Sequence, residues 1–169
     1  MTSHQSHESG ISTHRPHGEG EVLWVAGDTC TLKVTSEQTA GRLLIFEAST
    51  PPGGGPPPHV HAVDAETYFI LDGEYQVTLG EQTVTARERD LVFIPPGVLH
   101  TYANRTADAA RMLTIFTPGG FEGYFRAVGQ SAVAGHAAPP VGPEDIARFV
   151  AHADAFGIAL PTLTVGRPG

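Results

Sequence analysis

Residues 53–73 read GGGPPPHVHAVDAETYFILDG, and the order of side chains in this stretch sets both the architecture and the chemistry to expect. Three glycines and three prolines begin it, so the chain enters as a loop. His59 and His61 follow, one residue apart. On an extended chain alternate side chains share a face, so both imidazoles point the same way. Glu66 then opens a β-prone run, Glu66–Leu71. A second stretch, RERDLVFIPPGVLHTYAN at 87–104, delivers His100 just after Pro95, Pro96 and Gly97. A lone His-x-His is usually a pair of surface histidines, and a lone Glu in a strand usually faces water. Three histidines and a carboxylate, each beside a strand flanked by turn residues, form a different pattern. Such a set suits Fe, Mn, Co, Ni, Cu or Zn, because imidazole is borderline-soft and the carboxylate hard. Four ligands also leave positions open to substrate or dioxygen when the ion prefers five or six.

On the N-terminal side, Val22–Ala26, Cys30–Thr35 and Arg42–Ala48 are short β-prone runs before the loop, which carries five prolines over Pro51–Pro58. After Glu66–Leu71 come Glu74–Leu79, Gln82–Thr85, Leu91–Ile94, Leu99–Ala103 and Arg111–Thr117. Asp72–Gly73 and Gly80–Glu81 read as hairpin turns. Closely spaced strands with no helix between them argue for an antiparallel sandwich or barrel. Helix is expected only late, at Phe121–Val128 and Pro143–Ala155. Pro143 suits a first turn, Glu144 and Asp145 complement the helix dipole, and Gly157 is a stop. Ile146, Phe149, Val150 and Ala153 make one apolar stripe there, expected to pack on the barrel or on a partner subunit. Between the helices, 131–142 reads as an Ala/Pro/Gly linker. Residues 1–20, rich in Ser, Gly and His and carrying His4, His7, His14 and His17, are expected to form a mobile tail. Three segments result: the tail at 1–20, an all-β domain at 21–118 and a helical extension at 119–169.

Composition narrows the function classes. The chain has 169 residues, 20 Gly and 14 Pro, and a net charge of −8 with Lys33 as its one lysine. No basic patch stands out, so neither nucleic acid nor an anionic membrane is the expected partner. Cys30 is the one cysteine and lies in the β-prone run Cys30–Thr35, so a small packing residue is expected rather than a nucleophile. No apolar run approaches a membrane span, the start lacks a signal-peptide pattern, and a cytoplasmic protein is expected.

The chain resembles the cupin superfamily. The first motif of that family, G-x5-H-x-H-x4-E-x6-G, is matched by Gly53, His59, His61, Glu66 and Gly73. The second, G-x5-P-x-G-x2-H-x3-N, is matched by Pro95, Gly97, His100 and Asn104, with Arg89 where the opening glycine would stand. That departure touches a turn and spares the ligands. The resemblance covers about 20–118 and implies a jelly-roll β-barrel of six to eight strands with His59, His61, Glu66 and His100 meeting inside it around one divalent transition metal ion. Asn104 and the motif glycines are implied to be structural. If Glu66 points inward, so do Tyr68 and Ile70; if His100 does, so do Val98 and Tyr102, with Phe46 and Phe116 as further lining candidates. Glu66, Tyr68 and Tyr102 are the expected catalytic groups, a phenol being able to orient substrate.

Function has to be argued from the site, since the fold hosts many activities. The resemblance to small quercetin 2,3-dioxygenase-like proteins implies an oxygenase acting on an aromatic or enolisable molecule, with Glu66 both ligand and base. A metal-dependent isomerase, cyclase or dehydratase is the second reading, and a small-ligand-binding protein the third. The resemblance also implies a homodimer, with the N-terminal strands and the helix Pro143–Ala155 as its surfaces.

Overall fold

Alternation of inward and outward side chains builds this protein. In the computed structural model, which describes residues 10–161, Leu44–Thr50 (β3) buries every second side chain, and Ala65–Asp72 (β5) and Ala110–Thr117 (β10) do the same. Glu21–Val25 (β1), Asp28–Val34 (β2) and Leu91–Ile94 (β8) complete the main body of a large antiparallel sheet in the order β1-β2-β3-β10-β5-β8. Glu74–Leu79 (β6), Gln82–Arg87 (β7) and His100–Asn104 (β9) form a second sheet in the order β7-β6-β9. The two face each other. Tyr102 of β9 meets Tyr68 of β5 ring edge to face at 5.4 Å, and Tyr75 of β6 reaches Thr50 of β3. The result is the expected all-β jelly-roll barrel with two C-terminal helices.

The turn at Gly80–Glu81 is a hairpin, pairing Leu79 with Gln82. Asp72–Gly73 is not. β5 and β6 lie in different sheets, joined by Gly73 alone, because one residue cannot reverse a strand onto itself. Gly73 has φ +79°, and a Cβ there would sit 2.7 Å from that of Ala110, so glycine turns the corner between sheets. Arg89, standing where the motif has glycine, adopts φ +71°. The backbone has kept the left-handed turn and carries a side chain in it.

Past β10 the chain forms helix α1 (Glu122–Val128) and helix α2 (Pro143–Ala153), followed by a 3-10 turn at Asp154–Phe156 that stops at Gly157 with φ +66°. Phe125 of α1 packs edge-on against Phe46 at 4.9 Å, and α2 lies on α1. Only part of the expected α2 stripe is covered. Phe149 and Ala153 are buried, whereas Ile146 and Val150 are 37% and 42% exposed, because α1 meets α2 along one i, i+4 edge. Three two-residue strands escaped the alternation pattern. Val60–His61 (β4) pairs with Ile158–Ala159 (β12), and Gln130–Ser131 (β11) pairs with β1 at the sheet's edge. The segment after 118 is thereby stitched into the barrel at both ends.

In the N-terminal segment, the Ile11 N–H donates to Gln38 O at 2.7 Å. His4 and His7 lie outside the described residues. Among the described residues, no helix is long and apolar enough to cross a membrane.

Candidate metal centre

Local folding brings the four ligand candidates together from three directions. His59 and β4 leave the proline loop and bridge to His100, with the His59 N–H donating to His100 O at 3.0 Å and the His100 N–H returning to His59 O at 2.9 Å. The Gly97 N–H donates to His61 O at 2.8 Å, so the Pro95–Gly97 turn grips the same loop. Glu66 enters from β5, between Phe116 of β10 and Ile94 of β8. One ligand atom from each of His59, His61, Glu66 and His100 falls within 4.8 Å of every other.

The remaining ring nitrogens of two histidines are held. His59 Nδ1 lies 2.9 Å from Pro57 O and His100 Nδ1 lies 2.8 Å from Val98 O. A carbonyl only accepts, so each Nδ1 carries the proton and each Nε2 faces the cluster. This is the outer-shell arrangement that orients imidazoles toward an ion. His100 Nε2 lies 2.9 Å from Glu66 Oε2, and His61 Nε2 lies 3.5 Å from the same oxygen. Both nitrogens of His61 are buried without a hydrogen-bond partner, although its ring sits between Phe116 and Phe121. A buried imidazole with neither nitrogen satisfied is costly unless something else binds it. With three imidazoles and a carboxylate converging, a divalent transition metal fits the donor set.

At His59 and Glu66 electrostatics agrees with that fit. Burial pushes the His59 imidazole down to about 3, the neighbouring His100 adds to the shift, and the Glu66 charge opposes it. A neutral imidazole is the form that ligates. Burial alone would raise Glu66, but the hydrogen bond with His100 and the nearby His61 and His100 rings outweigh it and hold the carboxyl below its ordinary range. Burial likewise works against a charged His100, and its bond to Glu66 overrides that and raises it.

The cluster opens onto a cavity with about 630 Å³ of empty space, its solvent-open mouth included. His59, His61 and Glu66 form one part of its wall, and Phe46, Phe116, Phe121, Phe125 and Phe149 much of the rest. Phe46 and Phe116 line it as expected. Phe121, Phe125 and Phe149 come from the helical extension, which no strand alternation reaches. Tyr102 lines the cavity; Tyr68 does not. The Tyr68 phenol is fully buried in the wall beyond, beside the Glu66 charge, with no hydrogen bond of its own. Cys30 is a free, buried thiol pushed well above its ordinary pKa by burial, then by the Asp28 charge, and so stays protonated. Asn104, fully buried, donates through its amide to Thr50 O and Asp108 O and accepts from the Thr106 N–H and hydroxyl, which is a structural role.

One polar group of the cavity is not evident from the sequence. Asp28 falls in the gap between the β-prone runs Val22–Ala26 and Cys30–Thr35, yet it is 2% exposed and lines the cavity. Its phase with Cys30 and Leu32, the other inward residues of β2, is the signal that could have found it.

Residues 46–116 match the family described as Cupin domain. Over 112 residues the chain is 25% identical to quercetin 2,3-dioxygenase of Bacillus subtilis, covering 66% of this chain and 33% of that protein. The matched stretches span only 33%, 50% and 53% of the length of the curated relatives. Among solved structures, KdgF from Halomonas sp. superposes with a TM-score of 0.59 at 15% identity, covering 66% of this chain and 98% of that one. The polyketide cyclase RemF from Streptomyces resistomycificus superposes with a TM-score of 0.52 at 22% identity, covering 63% and 78%. At such identities the structural likenesses establish the fold and nothing finer.

Proposed function

We propose that this chain, which belongs to the cupin superfamily, is a metal-dependent enzyme acting on an aromatic or enolisable small molecule, with dioxygen as co-substrate in a quercetinase-type dioxygenation. The observation that carries the reading is the convergence of His59, His61, Glu66 and His100, the first three of them in the wall of a mostly apolar cavity to which five phenylalanines contribute. The similarity to quercetin 2,3-dioxygenase supports the oxygenase class, over a third of that protein's length.

His59, His61, Glu66 and His100 would hold the ion. A bound transition metal would supply Lewis acidity and, if redox-active, a route to dioxygen. The protein's own groups do the rest. The phenylalanine walls exclude water and stack against a flat substrate. Glu66, at the junction of ligand cluster and cavity, accepts the proton of a substrate hydroxyl. Tyr102 presents its phenol to the bound molecule, and Tyr68 packs behind it, edge to face. Pairing of two copies belongs to the same proposal and is read by light scattering as twice the chain mass.

The test is elemental analysis of full-length protein with His4, His7, His14 and His17 changed to Ala, so that those histidines cannot mimic a site. About one transition metal per chain, lost in His61→Ala, is expected, with stoichiometric oxygen uptake on quercetin. No metal after reconstitution with Fe, Mn, Co, Ni, Cu and Zn would overturn the metalloenzyme reading. Metal-dependent turnover without oxygen uptake would move the chain to the isomerase, cyclase or dehydratase class, and metal without turnover to a binding protein.

A further inference from the structure

The cavity has a polar site that the metal cluster does not use. Asp28 opens β2 beside Thr50, the last residue of β3. Along β3 the inward residues run Leu44, Phe46, Ala48, Thr50, and Leu44 shares the row of Phe116 and Glu66. Asp28 therefore lies three inward rows from Glu66, yet both line one cavity. Tyr102, two residues beyond His100 on β9, spans the interval and donates its phenol to Asp28 Oδ2 at 2.6 Å. Thr50 donates to the same oxygen at 3.0 Å, and Tyr75 donates to the Thr50 hydroxyl at 3.2 Å. Oδ1 is buried with no partner.

We propose that Tyr102 and Asp28 form a second polar subsite of the cavity, in which Tyr102 binds a hydroxyl or carbonyl of the substrate remote from the metal-binding atoms and Asp28 is the positioning residue that sets whether Tyr102 accepts or donates. With Asp28 ionised, the Tyr102 O–H is committed to Oδ2, and the phenol oxygen can only accept from a ligand hydroxyl. With Asp28 neutral, its proton on Oδ2 is donated to the Tyr102 oxygen and the Tyr102 O–H turns to the ligand. The two states are linked by a balanced relay. A substrate hydroxyl passes its proton to Tyr102 and keeps the electron pair on its own oxygen, while the Tyr102 proton passes to Asp28.

A buried carboxyl served only by hydroxyls is costly to keep where an apolar residue would pack, which marks it as a candidate for function. Burial pushes Asp28 up to about 7, with the Tyr102 and Thr50 bonds pulling the other way, so both states are populated near neutral pH. The groups facing it are Cys30 on its own strand, Thr50 on β3, Tyr68 on β5, Tyr75 on β6 and Tyr102 on β9. Burial raises the thiol and all three phenols, so they stay neutral as Asp28 titrates. Among these groups Tyr75 also feels the charge of Arg111 on β10.

The identity of the ligand rests on the substrate class proposed above; the relay does not. Two measurements separate them. The chain has four tyrosines, so ring-labelled tyrosine gives a simple carbon NMR spectrum, assigned with Tyr102→Phe. In zinc-reconstituted protein the Tyr102 signal is expected to titrate with a midpoint near 7 and to stay flat in Asp28→Asn. A flat Tyr102 signal in the unmodified protein between about pH 5.5 and 8.5 overturns the relay. Calorimetry then compares quercetin with 3-hydroxyflavone, which keeps the chelating edge and lacks the remote hydroxyls. Quercetin is expected to bind at least about tenfold tighter, a preference reduced to within about twofold by Tyr102→Phe. The ratio should change with pH in the unmodified protein and stay constant in Asp28→Asn. A preference that survives Tyr102→Phe overturns the subsite and leaves the metal reading standing. Failure of either flavonol to bind overturns the substrate class, and the spectrum alone then decides the relay.

Discussion

Replacing Asp28 by Asn should change how the stability of this protein depends on pH, and the structure sets the size of the change. Asp28 is buried, and burial is the largest influence on its carboxyl, raising it from 3.8 to about 7. The unfolded chain has an ordinary Asp. Between about pH 4 and pH 7 the folded state therefore holds a proton that the unfolded state has lost, and stability falls as pH rises through this window. Each unit corresponds to about 1.36 kcal/mol, so the full effect is about 4 kcal/mol, of which roughly 2–3 kcal/mol falls between pH 5 and pH 8. Above the folded pKa both states are ionised and the difference levels off. Asn keeps a carbonyl oxygen to accept from Tyr102 and Thr50 and has no charge to bury. Urea unfolding of metal-free protein at pH 5, 6, 7 and 8 reads the effect. Stability of Asp28→Asn minus that of the unmodified protein should rise by about 2–3 kcal/mol from pH 5 to pH 8 and then flatten. Taking the difference cancels His59 and Glu66, which titrate in both proteins. A difference that stays constant within about 0.5 kcal/mol over this range would contradict the account, because no group with so raised a pKa could then occupy position 28.

Other expectations rest on single features. Arg89→Gly should stabilise by about 0.5–1 kcal/mol in thermal or urea unfolding, because the left-handed strain it removes slightly exceeds the entropy glycine adds to the unfolded chain. Asn104→Ala removes the amide donor to Thr50 O and the acceptor of the Thr106 N–H, while Asp108 O keeps the Thr106 hydroxyl, and should cost about 2–3 kcal/mol in urea unfolding. In that variant metal content is expected to persist at temperatures where the chain stays folded. Adding zinc at about 100 times its dissociation constant should raise unfolding free energy by about 2.7 kcal/mol. His61→Ala should abolish that gain, and an equal gain in the variant would place the binding elsewhere.

Much of the fold was legible because alternation is a local signal. β3, β5, β8 and β10 are runs in which every second residue becomes buried, most of them apolar. The ligand candidates were legible for a related reason: one residue between His59 and His61, and a Pro-Pro-Gly turn before His100, are spacings that strand geometry converts directly into a shared face. Even the departure at Arg89 could be placed at a turn, since a missing glycine marks where φ is positive.

What stayed hidden depends on which distant segments meet. Asp72–Gly73 looks locally like a hairpin, and only the pairing of β5 with β10 and of β6 with β9 makes it a corner between sheets. Strands β4, β11 and β12 are two residues long, too short for any period, and exist because the C-terminal segment returns to the barrel. That return also brings Phe121, Phe125 and Phe149 to the cavity. Tyr68 and Tyr102 both point inward by alternation, but the packing of the second sheet on the first puts Tyr102 in the cavity wall and Tyr68 behind it. Asp28 is the sharpest case. Spacing and alternation act over a few residues, and they were enough to read a strand-built barrel and a likeness to metal-holding proteins from the chain alone. Burial and charge depend on what packs across the barrel, so the fate of a carboxyl beside a turn, buried against two hydroxyls from other strands, became visible only in the assembled fold.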